Sequence, residues 1–322
     1  MSPAPLVLAC GLTTLDVRQT VDRVPGPDEK VVARDLAVEV GGPAANAATT
    51  CTALGVPARL VTRVGGATVG RIAQEDLERH AVQVVDLAGP DDAPAVSTVL
   101  VTAGTGQRAV ASVNATRSGS GTGPLGPDAG GATASVVDAA LAGATAVLVD
   151  GHHLDLAVPV AAAARARGVV VVLDGGSWKP GLERLLAHVD VAVLSADFRL
   201  PDEAAPQPAA DLLDAVHALG PPVVAQSHGG GAVEVRDTAG RVEVPVPAVR
   251  VVDTLGAGDV LHGALAAWLA CAAPTDDGAA VGALRFAVEV ASASCAAAGA
   301  RGWTTDADTV ARLRAALPGT GA

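Results

Sequence analysis

Tyrosine is missing from this 322-residue chain, and two phenylalanines and three tryptophans leave aromatic side chains at 2%. A surface that works by stacking bases on aromatic rings is therefore disfavoured. Basic residues are scarce too: 22 Lys and Arg stand against 34 Asp and Glu, a net charge of -12. Such a surface repels a phosphate backbone and excludes a nucleic-acid partner, although a bound nucleotide needs only a local positive site. The four cysteines, Cys10, Cys51, Cys271 and Cys295, are far apart and show no CxxC or metal-ligand spacing. They read as small buried hydrophobes of a reduced, cytoplasmic protein. No uncharged apolar run is long enough to span a bilayer, and Met1 to Cys10 has no basic region of the kind that opens a secretory signal.

What is present is alanine and valine: half of the residues are hydrophobic. That composition suits close-packed helices on buried parallel strands. The length permits one large domain with an appendage, or two domains. Strand-like segments at Leu6 to Leu12, Leu60 to Val64, Ala146 to Val149, Val169 to Leu173, Val189 to Leu194 and Pro222 to Ala225 are separated by helix-like stretches, among them Ala44 to Leu54. The alternation predicts βαβ units, a doubly wound and mostly parallel sheet flanked by helices. Residues 1–322 are read as one such α/β domain. Two half-exposed β segments, about 14–40 and 93–116, interrupt the pattern; Val32, Leu36, Val38 and Val40 alternate with polar residues in the first. They predict a small inserted β-sheet lid that closes over substrate or pairs with a second subunit. Ser118 to Gly131 reads as a loop.

Near the C-terminus stands Asp253-Thr254-Leu255-Gly256-Ala257-Gly258-Asp259, followed by a helical run from Val260 to Ala270 and preceded by Val249, Val251 and Val252, which read as a β-type approach. A helix start leaves backbone N–H groups without intrahelical partners at the positive end of the macrodipole. Gly256 and Gly258 let the chain turn sharply and approach an anion, so Gly256, Ala257 and Gly258 can cradle a phosphoryl group. Asp259 then stands where a general base is needed. Taken by itself, the same segment also reads as a glycine-rich turn capping an ordinary helix.

A second motif, Gly41-Gly42-Pro43-Ala44-Ala45-Asn46, opens the helix that Gly55 stops. The two motifs, in this order and at this distance, resemble those of the ribokinase-like carbohydrate kinases, also called the PfkB family. The resemblance covers nearly the whole chain. It implies a ribokinase-like fold with a β-sheet lid, and transfer of the γ-phosphoryl group of ATP to a sugar or nucleoside hydroxyl with Mg²⁺. It implies Asp259 as base and Gly256, Ala257 and Gly258 as anion hole. Asp16, Gly41, Gly42 and Asn46 would bind the sugar hydroxyls, although Asp16 also suits a turn cap and Asn46 a helix start. Arg108 and Asn114 on the lid hairpin are further substrate candidates; an arginine on an exposed strand is also commonly just solvated.

The chain departs from the family at two places. Where many members carry Asn-x-x-Glu, this one has Ser195-Ala196-Asp197-Phe198, so no metal-binding residue is assigned, Asp197 being a substitute or a plain loop acid. Where the nucleotide turn Thr-x-Gly-x-x-Gly is usual, it has Gln226-Ser227-His228-Gly229-Gly230-Gly231. Nucleotide contacts are expected from Ser195, Gln226, Gly229, Gly231, Thr254, Gly258 and Ser292, with Ala287 and Cys295 bordering the base; a flexible turn and a packed alanine helix is the alternative. His152 and His153 follow a strand end, where doubly wound folds place ligands. His262 reads as packed or solvent-facing. The two departures, together with Gly11-Leu12-Thr13-Thr14-Leu15-Asp16-Val17 and the helix end Ser294-Cys295-Ala296-Ala297-Ala298-Gly299, resemble the branch containing ketohexokinase and bacterial sulfofructose kinase, which implies a ketose or related furanose or polyol. A nucleoside kinase of the same fold and an inactive sugar-binding regulator stay open beside it.

Overall fold

A computed structural model of the protein describes residues 3–105, 107–113, 130–201, 211–272 and 279–319. Nine strands form the main sheet. In chain order they are β1 (Val7–Cys10), β4 (Ala58–Thr62), β5 (Val82–Asp86), β8 (Ala146–Val149), β9 (Val170–Gly175), β10 (Val191–Leu194), β11 (Val223–His228), β12 (Gly231–Asp237) and β13 (Gly240–Val244). Their spatial order is β13-β12-β11-β10-β9-β8-β1-β4-β5. From β5 to β11 every pairing is parallel, and only β12 and β13 add on antiparallel. The central strands β1, β8 and β10 are buried at every position, which is why they read as unbroken apolar runs instead of alternating ones.

Helices cover both faces. Helices α1 (Pro43–Ala53), α2 (Thr68–Arg79), α7 (Ala257–Cys271), α8 (Ala279–Cys295) and α9 (Ala307–Ala315) pack with one core cluster, and α3 (Gly130–Leu141), α4 (Leu154–Ala166), α5 (Leu182–Leu186) and α6 (Leu212–His217) with the other. From β1 the chain winds to β4 and β5 on one side and to β8, β9 and β10 on the other. The strand order therefore reverses at β1, and the crevice beyond the carboxyl ends of β1 and β8 is where such sheets hold ligands.

The second sheet has four strands, β2 (Thr14–Val21), β3 (Asp35–Gly41), β6 (Ala95–Thr102) and β7 (Arg108–Ser112), in the order β3-β2-β6-β7. Its two outer pairings are antiparallel and β2 runs parallel to β6. It rises from the end of β1, so Asp16 sits over the crevice. Two expectations need correction. Val249, Val251 and Val252 form no strand: Val251 and Val252 are each 59% exposed, and the backbone N–H groups of Val252 and Asp253 both donate to the Cys295 carbonyl at the end of α8. The loop expected from Ser118 to Gly131 gives way at Gly130 to α3, and its earlier part lies outside the described residues.

Candidate active site

Asp259 lies in the first turn of α7, whose N-cap is Gly256 at φ 70°. A side chain is strained in that left-handed conformation, and a Cβ there would also come within 2.4 Å of the Ala300 Cβ. At Gly258, by contrast, a Cβ would meet nothing within 4 Å. The backbone is open on that side, as an anion-binding loop requires. Asp253 holds the loop in shape, accepting hydrogen bonds from the backbone N–H groups of Leu255 (2.9 Å) and Gly299 (3.0 Å).

The glycine pair at the start of α1 has an equally local cause. Gly42 is at φ 95°, and a Cβ on it would lie 2.4 Å from the Leu12 carbonyl oxygen; one on Gly41 would lie 2.1 Å from Oδ2 of Asp16. The turn therefore presses against both β1's exit and the Asp16 side chain. Asp16 accepts from Thr14 Oγ1 at 2.9 Å and is half-buried. Asn46, on the first turns of α1, donates from Nδ2 to Oδ2 of Asp259 at 2.7 Å. Residues 213 positions apart, one expected to touch substrate and the other to act as base, thus meet directly.

Three acids converge here. Asp150, just past β8, accepts from the backbone N–H groups of Leu12 (2.7 Å), Ala44 (3.2 Å) and His152 (2.9 Å), and so ties three segments of the crevice together. Burial pushes its carboxyl up, but the bonds from His152 and Leu12 outweigh this and leave it below the ordinary value. Asp174, at the end of β9, is raised, chiefly by burial, with the His262 side chain 3.3 Å away opposing. Asp259 is raised to about 7, first by burial and then by the negative charge of Asp174. The Asn46 hydrogen bond and His262 pull it back down, and Asp150 adds to the rise. Desolvation and a like charge both penalise the anion. Lys179 lies near Asp150 and Asp174, and burial lowers its pKa.

His262 is buried, with Nδ1 2.7 Å from the Gly258 carbonyl and Nε2 3.1 Å from that of Val193. It is the packed alternative that applies, and its ring ties the loop to β10. His153 caps α4 at φ 48°, with its pKa lowered to about 4 by burial, and His152 lies 3.4 Å from Asp150.

The expected nucleotide residues are placed less uniformly. Gln226 is buried and donates to the carbonyls of Ser195 (3.1 Å) and Ala196 (3.4 Å), while Ser195 Oγ donates to the Gly176 carbonyl (2.8 Å). Gly229 and Gly230 form the hairpin turn between β11 and β12 with open space around them, and Thr254 is exposed. Ser292 is 5% exposed and Ala287 fully enclosed, on a helix that packs against the core. Arg108 stands exposed on the edge strand β7, and Asn114 lies outside the described residues.

Phe198 is the residue that the resemblance sets against the family's glutamate. It is fully buried, edge-on to Trp178 at 6.5 Å, and Asp197 points to solvent. Among the described residues no three His, Cys, Asp or Glu side chains are grouped to hold a metal. The donor set is not that of a resident metal centre; it suits a cation that arrives on the nucleotide's oxygens and waters.

The model of the pfkB family of carbohydrate kinases matches residues 4–306. The chain belongs to that family. This pfkB-family kinase is similar to an ATP-dependent ribose-1-phosphate kinase from Halopiger xanaduensis, with 29% identity over 312 residues, 95% of this chain and 96% of the relative. Its fold matches a ribokinase from Giardia lamblia (TM-score 0.75, 19% identity, 96% of this chain and 99% of the other). It also matches an Arabidopsis thaliana ribokinase complexed with ribose and ATP (TM-score 0.71, 22% identity, 98% and 99%). It is an ATP-dependent sugar or nucleoside kinase of the pfkB family, and among its described residues no helix is long and apolar enough to cross a membrane.

Proposed function

We propose that this kinase phosphorylates a hydroxyl of a small ketose, sulfosugar or related furanose or polyol, as a cytoplasmic enzyme using MgATP. The observation that carries the reading is the Asp259 carboxylate at the start of α7, bonded to Asn46 and raised to about 7 beside an open Gly258. Asp16, Gly41, Gly42 and Asn46 hold the sugar, because a polyol leaves a penalty wherever one of its hydroxyls is unpaired. Asp259 takes the hydroxyl proton as that oxygen bonds to the γ-phosphorus. The bond from phosphorus to the bridging oxygen breaks, and ADP leaves with the electron pair. The amides of Gly256, Ala257 and Gly258 meet the charge on the transferring group. The nucleotide lies along the ends of β10 and β11, over Ser195, Gln226 and the Gly229 to Gly231 turn.

The second reading is an already phosphorylated pentose as acceptor, and the relative from Halopiger xanaduensis favours it. A panel of ketoses, sulfosugars, ribose, ribose 1-phosphate and nucleosides, assayed for ADP formation, separates these readings. Asp259→Asn is expected to keep ATP binding and to lose on the order of 10³-fold in turnover. Near-normal turnover in that variant removes Asp259 from the mechanism. Thermal stabilisation by a sugar without ADP formation anywhere in the panel points instead to a sugar-binding regulator.

A further inference from the structure

Asn46 has an amide with two unlike ends, and only one of them suits a carboxylate. With Nδ2 toward Asp259 the contact is attractive; turned over, Oδ1 would face the carboxylate oxygen and repel it. The partner on the other side of the amide decides which end faces which way. That partner is Arg301, just ahead of the 3-10 turn Gly302–Thr305. Its Nη2 lies 3.4 Å from Oδ1 of Asn46 and donates to the Val40 carbonyl at 2.7 Å, while Nη1 donates to Oδ2 of Asp76 on α2 at 2.6 Å. A guanidinium has donors only, so the amide end that meets it has to be the oxygen. Arg301 is mostly buried, its side chain 18% exposed, and the fork is held by three different elements. The residue before it, Ala300, is the one whose Cβ leaves room only for glycine at position 256. None of the motifs that mark the site includes Arg301.

We infer that Arg301 is a positioning residue that fixes the orientation of the Asn46 amide and, through it, keeps a hydrogen-bond donor on the base Asp259. The chain of contacts runs Asp76, Arg301, Asn46, Asp259, from α2 through the C-terminal segment and α1 to α7. The inference rests on the reading of Asp259 as the base. The other charged groups that face Asp259 are Asp174 from the end of β9, Asp150 from the end of β8 and His262 from α7 itself. Arg301 touches none of these three by hydrogen bond or ion pair in the described structure, so its effect on Asp259 passes through Asn46.

The test follows the Asp259 carboxyl by ¹³C NMR titration of the whole protein without ligands, together with the pH profile of kcat/KM on the best acceptor from the panel. The variants are Arg301→Lys, Arg301→Met, Asn46→Ala and Asn46→Ala/Arg301→Met. Lysine keeps the positive charge beside Asp76 but not the two-armed fork, so it separates loss of orientation from loss of charge and protects against a variant that does not fold. Freed from Arg301, the amide rotates and Asp259 loses its donor part of the time, which favours the neutral acid. The Asp259 titration and the acid limb of kcat/KM are then expected to move to higher pH by about half a unit or more in both Arg301 variants. In the Asn46→Ala background, adding Arg301→Met is expected to move neither one further. An unmoved titration in Arg301→Lys and Arg301→Met, with only the melting temperature lowered, overturns the inference. A shift as large in the Asn46→Ala background as in the parent overturns it as well. Asp259→Asn, run alongside, keeps the two questions apart: if it retains turnover the base assignment fails, and if it is inactive while Arg301 variants titrate normally, only the role of Arg301 fails.

Discussion

A carboxylate that accepts a proton from an alcohol works best when its own pKa lies near the working pH. Burial and the charge of Asp174 bring Asp259 to about 7, so on the proposed mechanism the base is formed only as pH rises through that value. Activity is expected to fall on the acid side of pH 7. The same shift has a consequence for stability with a definite sign. Between the ordinary value of 3.8 and about 7 the folded protein holds a proton that the unfolded chain releases. This contribution is fully present below pH 4 and fades as pH climbs to 7. Asp259→Asn abolishes the titration, and is expected to melt like the parent at pH 4 but to be more stable at pH 8, by up to roughly 4 kcal/mol. Equal melting curves at pH 8 would show that the acid is not buried among like charges. Asp259 and Asn46 were legible in the sequence because glycine motifs flag them. Asp150 and Asp174 were not, since each is a lone acid at the end of an apolar strand, and their convergence depends on which strands are neighbours in the sheet. The available signal was the run of apolar residues ending in Asp-Gly at both 150 and 174.

At the scale of elements, Asn46 reaches Asp259 because α1 and α7 approach closely along small residues. A Cβ on Gly263 would lie 2.5 Å from the Ala47 carbonyl oxygen and 2.8 Å from the Thr50 Cβ, and the Cys51 thiol donates to the Gly263 carbonyl at 3.2 Å. Gly263→Val is expected to push the helices apart, costing about 1 to 3 kcal/mol by overpacking. Because Asn46 and Asp259 ride on these helices, turnover is expected on the proposed mechanism to drop by about 10²-fold as well. Gly258→Ala is the contrasting case: with nothing within 4 Å of its Cβ, it leaves the melting temperature in place but puts a methyl group over the loop and weakens phosphoryl transfer. Parallel melting and kinetic measurements check the pair; loss of stability without loss of turnover in Gly263→Val would mean that the helix spacing does not set the site. Periodicity made α1, α7 and the central strands readable, as their burial is continuous. It misread Val249 to Val252, because a strand exists only where another strand pairs with it, and here the N–H groups turn to the end of α8 instead.

For the whole molecule, the switch in strand order at β1 opens the crevice, and the four-stranded sheet stands over it from β1's exit. Among the described residues that sheet ends in β3 on one side and β7 on the other. On β3, Leu36 and Val38 point to the face opposite Asp16 and are 61% and 50% exposed, an apolar surface that an isolated sheet leaves to water. Pairing with the same sheet of a second copy would cover edge and face together, and a twofold axis makes one patch serve both subunits. On this proposal the parent protein sediments as a dimer, and Leu36→Asp/Val38→Asp sediments as a monomer at the same concentration. The main core lies elsewhere, so the substituted protein is expected to keep its melting behaviour apart from what association contributes. Its KM for the sugar is expected to rise, since a sheet no longer braced by its partner closes less firmly over Asp16. Sedimentation velocity with sugar kinetics decides the matter: a parent protein that is monomeric at micromolar concentration, or a double variant that stays dimeric, places the subunit contact on another surface.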